Sequence, residues 1–169
     1  MIPPVTWGKS QEQDDRWQTI MTSFFMAQAP LMVAGKLPLD KRSLSYLANP
    51  LALKIHAESG KPHTIHYQGN CSLSHGSIPR DFFPKQPCVQ LWAKGDAAAA
   101  AAGETMEMAL VNLGENTTSV TPSDSPALEL ALSGGGWTGV DVWTGAAAPT
   151  SGKITLRPHE SRLLQFAKK

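Results

Sequence analysis

Met106-Glu-Met-Ala-Leu-Val111, Asp141-Val-Trp-Thr-Gly145 and Leu156-Arg-Pro-His-Glu-Ser-Arg-Leu-Leu164 decide the fold class of this chain. In the first, Met106, Met108 and Leu110 alternate with Glu107, Ala109 and Val111, the period-two pattern of a strand. Leu113-Gly-Glu-Asn116 then reads as a turn, and residues 117–121 as a β-branched return strand. Leu128, Leu130 and Leu132 alternate again, and Gly134-Gly-Gly136 breaks the chain before Val140 and Val142. Ile154 with Leu156, and residues 161–166, are the last two segments. Upstream, residues 63–67 and 89–94 also read as strands, with a long irregular stretch between them. The class is therefore mainly β. About seven or eight short strands over residues 61–169 predict an antiparallel two-sheet β-sandwich.

Residues 1–60 follow a different pattern. Ser10 and Gln13 have the form of a capping box, with Glu12, Asp14 and Asp15 in the positive first turn. Trp17, Ile20, Met21, Phe24 and Phe25 recur at helical spacing, and Pro30 is expected to end that helix. Residues 31–33 suit a short buried strand. Asp40 is placed to cap a second helix, with Leu44 and Leu47 on one face and a stop at Asn49-Pro50. Leu51, Leu53 and Ile55 fit either an alternating segment or a helical turn. Helix, strand, helix is α/β order rather than sandwich order. The apolar face of residues 10–34 needs a cover, from its own sandwich, a second copy or a partner.

Composition narrows the function classes. At 169 residues the chain holds one ordinary domain or one domain with an appendage. The net charge is +1, from 15 Lys and Arg against 14 Asp and Glu, and no basic run exists. Nucleic acid is not an expected partner, because counterion release needs a clustered basic face. The apolar stretch of residues 24–34 contains Gln28 and Pro30 and is far too short to span a bilayer, so no membrane partner is expected. Asp96, six alanines and Gly103 form the one low-complexity stretch, expected as a hairpin insertion.

The ordered pieces resemble a known family. Phe24-Phe-Met-Ala-Gln-Ala-Pro-Leu-Met32 and Leu44-Ser-Tyr-Leu-Ala-Asn-Pro50 resemble the last helices and strand of the barrel in family 27 glycoside hydrolases, the α-galactosidase (melibiase) group. Val89-Gln-Leu-Trp-Ala-Lys94, Ala109-Leu-Val-Asn-Leu-Gly-Glu115 and the two closing motifs resemble strands of that family's C-terminal sandwich. Lys36 and His56-Ala-Glu58 depart from the acidic and amide residues usual there. The resemblance implies a short segment from the end of a (β/α)8 barrel followed by a C-terminal β-sandwich. It also implies that both catalytic carboxylates belong upstream of Ala29-Pro-Leu31. No catalytic residue, cofactor or independent enzyme activity is therefore expected of this chain, and the missing barrel becomes its expected partner. The compartment stays open, since members are often secreted or lysosomal.

Beside that scaffold reading stands a stand-alone carbohydrate-binding or protein-interaction module. Trp137, Trp92 and Trp143 are its candidate sugar contacts, and Trp137, after three glycines, is expected to be the most exposed. Cys71 and Cys88 are either one disulfide or two free thiols. Asn70-Cys-Ser and Asn116-Thr-Thr are N-glycosylation sequons. His63, His66, Cys71 and His75 have a loose metal-like spacing, but strand positions three apart point to opposite faces, so no metal site is expected. Among the carboxylates, Glu107 and Glu129 are expected on solvent faces of strands.

Overall fold

In the computed structural model the described residues are 11–31, 41–58, 63–69, 71, 87–95, 105–121, 124–125, 129, 136–149 and 151–168. Three helices come first: α1 (Gln11–Met26), α2 (Lys41–Leu47) and α3 (Pro50–Ala57). Seven strands follow: β1 (His63–Gly69), β2 (Cys88–Lys94), β3 (Met106–Asn112), β4 (Thr118–Val120), β5 (Trp137–Asp141), β6 (Ile154–Leu156) and β7 (Ser161–Lys168). Five of them make one antiparallel sheet in the order β1-β2-β3-β7-β5, and β4 pairs with β6 in a second. The architecture is a mainly β sandwich with helices laid on its outer face.

The period-two pattern sorts side chains between two cores. Leu91, Met108, Leu110, Leu164 and Phe166 point toward Val120, Ile154 and Leu156 of the small sheet. Cys88, Ala109, Val111 and Leu163 point the other way, onto Met21, Phe25, Met26, Ala52 and Ile55 of the helices. The central strand β3 is covered on both sides, so all seven of its residues are buried. Glu107 is therefore fully buried rather than on a solvent face, and its Oε1 accepts from Thr105 Oγ1 at 2.5 Å and Gln165 Nε2 at 3.2 Å. Alternation cannot distinguish a strand with one wet face from a strand inside three layers.

The helical segment departs from the sequence expectation at two joints. The first is the end of α1, which stops at Met26, four residues before Pro30. Gln28 takes a left-handed φ of 52°, and Ala29 N–H bonds back to Phe24 O at 3.1 Å, closing the helix end before the proline is reached. The second is Asn49-Pro50, which starts a helix instead of finishing one. Asn49 Oδ1 accepts from the N–H groups of Leu51 and Ala52, each at 3.0 Å, and Pro50 opens α3, where no N–H is needed. Leu51, Leu53 and Ile55 are thus helical.

Two strand expectations also change. Residues 118–120 do not return along β3. They cross to the second sheet and pair with β6, because Asn112 redirects the chain there. Its Nδ2 donates to Asn116 O and Arg157 O, both at 2.8 Å, while its Oδ1 accepts from Gly114 N–H. Glu129 is exposed and helically bonded to Ser125 O, not part of a strand. The expected Ser10 and Asp40 caps, the strand residues 32–33, the alanine stretch, and Leu128, Leu130 and Leu132 lie outside the described residues.

Gly139 shows how tightly β5 packs against its neighbours β7 and the fold-back at Ala148. A Cβ there would lie 2.6 Å from the Phe166 ring and 2.8 Å from Ala148 Cβ, both in the core. Gly139→Ala is expected to lower the urea midpoint by an amount equivalent to about 1–3 kcal/mol, the usual cost of overpacking. An unchanged midpoint would contradict this close approach.

Candidate functional site

The most polar part of the interior is the seam where α1 meets the 157–162 corner. Arg157-Pro-His-Glu160 forms a tight turn, with Glu160 N–H bonded to Arg157 O at 3.1 Å. Proline at the second position and a left-handed third residue suit a type II turn. His159 supplies that residue at φ 59°, a strained choice where glycine is easier. The ring explains the choice: Arg16 Nη2 donates to His159 Nε2 at 3.1 Å, and Thr19 Oγ1 donates to His159 O at 2.6 Å. Further along, Gln18 Nε2 donates to Ser161 O, and Thr22 shares a hydrogen bond with Ser161.

Charge runs along the same line. Arg157 holds both oxygens of the buried Asp15, at 2.9 and 3.1 Å. That hydrogen bond is the main reason the guanidinium stays above its usual range. Glu160 accepts from Arg157 N–H at 2.8 Å and pairs with Arg162 at 2.9 Å. Arg162 reaches on to Asp141 at 3.2 Å. Asp141 in turn caps the next bend, accepting from the N–H groups of Trp143 and Thr144. A cleft of about 420 Å³ opens over this seam, lined by Gln11, Asp15, Arg16, Glu115, Arg157 and His159, with Pro158 at its edge.

A retaining glycosidase needs two carboxyl groups about 5–5.5 Å apart, one to attack carbon and one to exchange a proton. The buried carboxylates described here do other work. Asp15, Asp141 and Glu160 are neutralised by arginines, and Glu107 accepts from a hydroxyl and an amide. The chemistry of the seam is that of a fastening between layers.

The sequence-named residues fall elsewhere. Trp137 is 7% exposed and sits in the core between the sheets, so the expectation of an exposed ring is overturned. Gly136 turns the chain with φ 79° and delivers Trp137 to the inner face of β5. Trp143 is half-buried: its Nε1 donates to Thr22 Oγ1 at 2.9 Å, and its ring packs edge-on against Phe25 and Tyr46. Trp92 packs against the helix-side core, with Nε1 bonded to Gln90 Oε1. Cys71 and Cys88 form a disulfide with Cα atoms 4.8 Å apart, at the end of the β1–β2 pair where the chain connects the two strands. Cys71 is therefore no thiolate ligand for a metal. Asn116 is exposed in its turn, while Asn70 and His75 lie outside the described residues.

Several solved structures share the outline of this chain. It overlays a family 27 β-L-arabinopyranosidase from Geobacillus stearothermophilus with a TM-score of 0.63 at 22% identity, over 92% of this chain and 31% of that one. The overlay on α-galactosidase I from Mortierella vinacea has a TM-score of 0.60 at 18% identity, over 94% and 36%. That on the α-galactosidase of Saccharomyces cerevisiae reaches 0.61 at 14%, over 96% and 45%. The fold is that of the C-terminal part of a family 27 glycoside hydrolase. The chain spans less than half the length of these structures, from 31% to 45%. No protein-family model matches the sequence, and no curated protein matches it.

Tyr46 provides a pH test of this packing. Burial, more than any nearby charge, pushes its phenol above the ordinary value of 10.0. The folded state keeps that proton at pH values where the unfolded chain releases it, so the stabilisation is complete below pH ~10 and lost as pH rises through the folded value. Denaturation series are expected to show this alkaline decline, and Tyr46→Phe is expected to flatten it. An identical decline in the variant would remove Tyr46 as its source.

Proposed function

We propose that this chain is the non-catalytic C-terminal β-sandwich region of an α-galactosidase-like glycoside hydrolase, a scaffold for a catalytic barrel. The parent activity would be hydrolysis of terminal α-galactosides. One observation carries the reading: in a chain of which more than nine-tenths overlays a part of these enzymes, the buried carboxylates among the described residues are engaged in fastening the layers, Asp15, Asp141 and Glu160 by arginines and Glu107 by a hydroxyl and an amide. A neutralised carboxylate under an arginine is a poor nucleophile and a poor proton donor. The motifs that resemble the family serve that fastening, since Leu156-Arg-Pro-His-Glu-Ser-Arg supplies most of the seam.

The test is an assay of the purified chain with nitrophenyl α-galactopyranoside and nitrophenyl β-L-arabinopyranoside. Neither substrate is expected to be turned over. Turnover that copurifies with the chain and disappears in Asp141→Asn or Glu160→Gln would overturn the reading, because it would give a fastening carboxylate a chemical role.

A further inference from the structure

The turn between β3 and β4 is built by one asparagine and presents another. Asn112 is buried and holds the turn from inside, donating from Nδ2 to Asn116 O and Arg157 O and accepting at Oδ1 from Gly114 N–H. Gly114 O accepts in turn from His159 N–H at 3.4 Å. Asn116 gives this network its carbonyl oxygen, a group that every residue has. Residues Glu115, Asn116 and Thr117 are exposed. The hydrogen bonds that shape the turn therefore do not require an asparagine at position 116.

Asn116-Thr117-Thr118 is an acceptor triplet for N-linked glycosylation, which needs an accessible asparagine, a hydroxyl at the third position and no proline between them. The fold meets these conditions. Asn116 and Thr117 stand in water, and Thr118 enters β4 half-buried, opposite Leu156 of the small sheet. A second and independent observation bears on the compartment. Cys71 and Cys88 are joined, which leaves no free cysteine in the chain. Disulfides persist in oxidising surroundings, which include the lumen where N-linked glycans are added.

We infer that Asn116 carries an N-linked oligosaccharide and that this chain matures in an oxidising secretory compartment. The co-reactant is an oligosaccharide linked to a polyprenyl pyrophosphate. Asn116 Nδ2 attacks its anomeric carbon, so that a C–N bond forms as the C–O bond to phosphate breaks. The lipid pyrophosphate leaves with the electron pair, and the amide gives up one proton. Glu115, the preceding residue, lines the cleft over the α1 seam, so the glycan stands beside the rim of that cleft. The inference is independent of the scaffold function proposed above, because neither the triplet nor the disulfide entered that argument.

The test uses the whole chain, led into the secretory pathway of a eukaryotic cell by a cleavable leader. Peptide N-glycosidase is expected to lower the apparent mass of the secreted protein and to leave aspartate at position 116, read by mass spectrometry. Asn116→Gln and Thr118→Val should each lose one glycan, whereas Thr118→Ser should keep it, since only the hydroxyl is read. Each variant is expected to unfold cooperatively, because the turn keeps its carbonyl at 116 and its anchor at Asn112. Asn70→Gln, at the other triplet, should leave the glycan at 116 in place. Reducing the disulfide is expected to lower the urea midpoint, since the bond constrains the unfolded chain. An unmodified Asn116 in the secreted, folded protein, a glycan content unchanged by Asn116→Gln, or a midpoint indifferent to reduction would each overturn the inference.

Discussion

A chain beginning at Gly60 is expected to aggregate or to lose cooperative unfolding, while the full chain stays soluble. Phe25, Met26, Ala52 and Ile55 are completely buried, and what they cover is the outer face of the large sheet: Ala109, Val111 and Leu163. Without the helices that face is wet, and the central strand loses one of its two apolar covers. Phe25→Ala gives a graded version of the same effect. Its ring packs edge-on against His56 and Trp143, each at 5.7 Å, so truncation opens a cavity shared by two helices and the 141–145 bend. The cost is expected to be about 3–5 kcal/mol, against a total stability of roughly 5–15 kcal/mol for a domain. Urea denaturation and sedimentation of both proteins measure these effects. A soluble, cooperatively folded chain from Gly60 onward would show that the helices are dispensable and would sink the three-layer account.

Arg157→Ala is expected to cost about 2–3 kcal/mol, more than its half-exposed position suggests. Most of the loss falls on Asp15, whose carboxylate is buried and would keep only Gln11 of its side-chain hydrogen bonds. If that is the mechanism, Asp15→Asn should recover part of the stability in the double variant, because a neutral amide tolerates the lost cation. The measurement is a double-mutant cycle by denaturant unfolding, with a coupling of about 1 kcal/mol or more expected for residues in direct contact. Strictly additive losses would mean that the seam pair contributes nothing jointly.

The pattern of strands was legible because alternation is local: six of the seven strands coincide with segments read as strands, and the seventh, 118–120, was read as a strand with the wrong neighbour. Family likeness was legible through ordered motifs rather than through any single one. The seam was not. Asp15 was assigned to the first turn of a helix; it is the fifth residue of α1, and its partner Arg157 is 142 positions away with no local signal to link them. The Pro158-His159 pair was the available clue, since a proline followed by a residue taking positive φ marks a rigid turn. Trp137 was misplaced for a related reason. Three glycines suggested a free loop, whereas the decisive fact is which face of β5 the indole occupies, and that depends on pairing with β7.

By itself the amino-acid order determined the mainly β class, the helical lead-in and the likeness to a glycosidase's C-terminal region, because hydrophobic period, breakers and turn residues act within a few positions. Only the tertiary structure decided that the helices form a second core with the outer face of the large sheet, that Glu107 and Trp137 are interior, and that Asp15, Glu160 and Asp141 are bound to arginines. Burial and charge pairing depend on what lies across a gap in space, and a linear pattern does not carry that information.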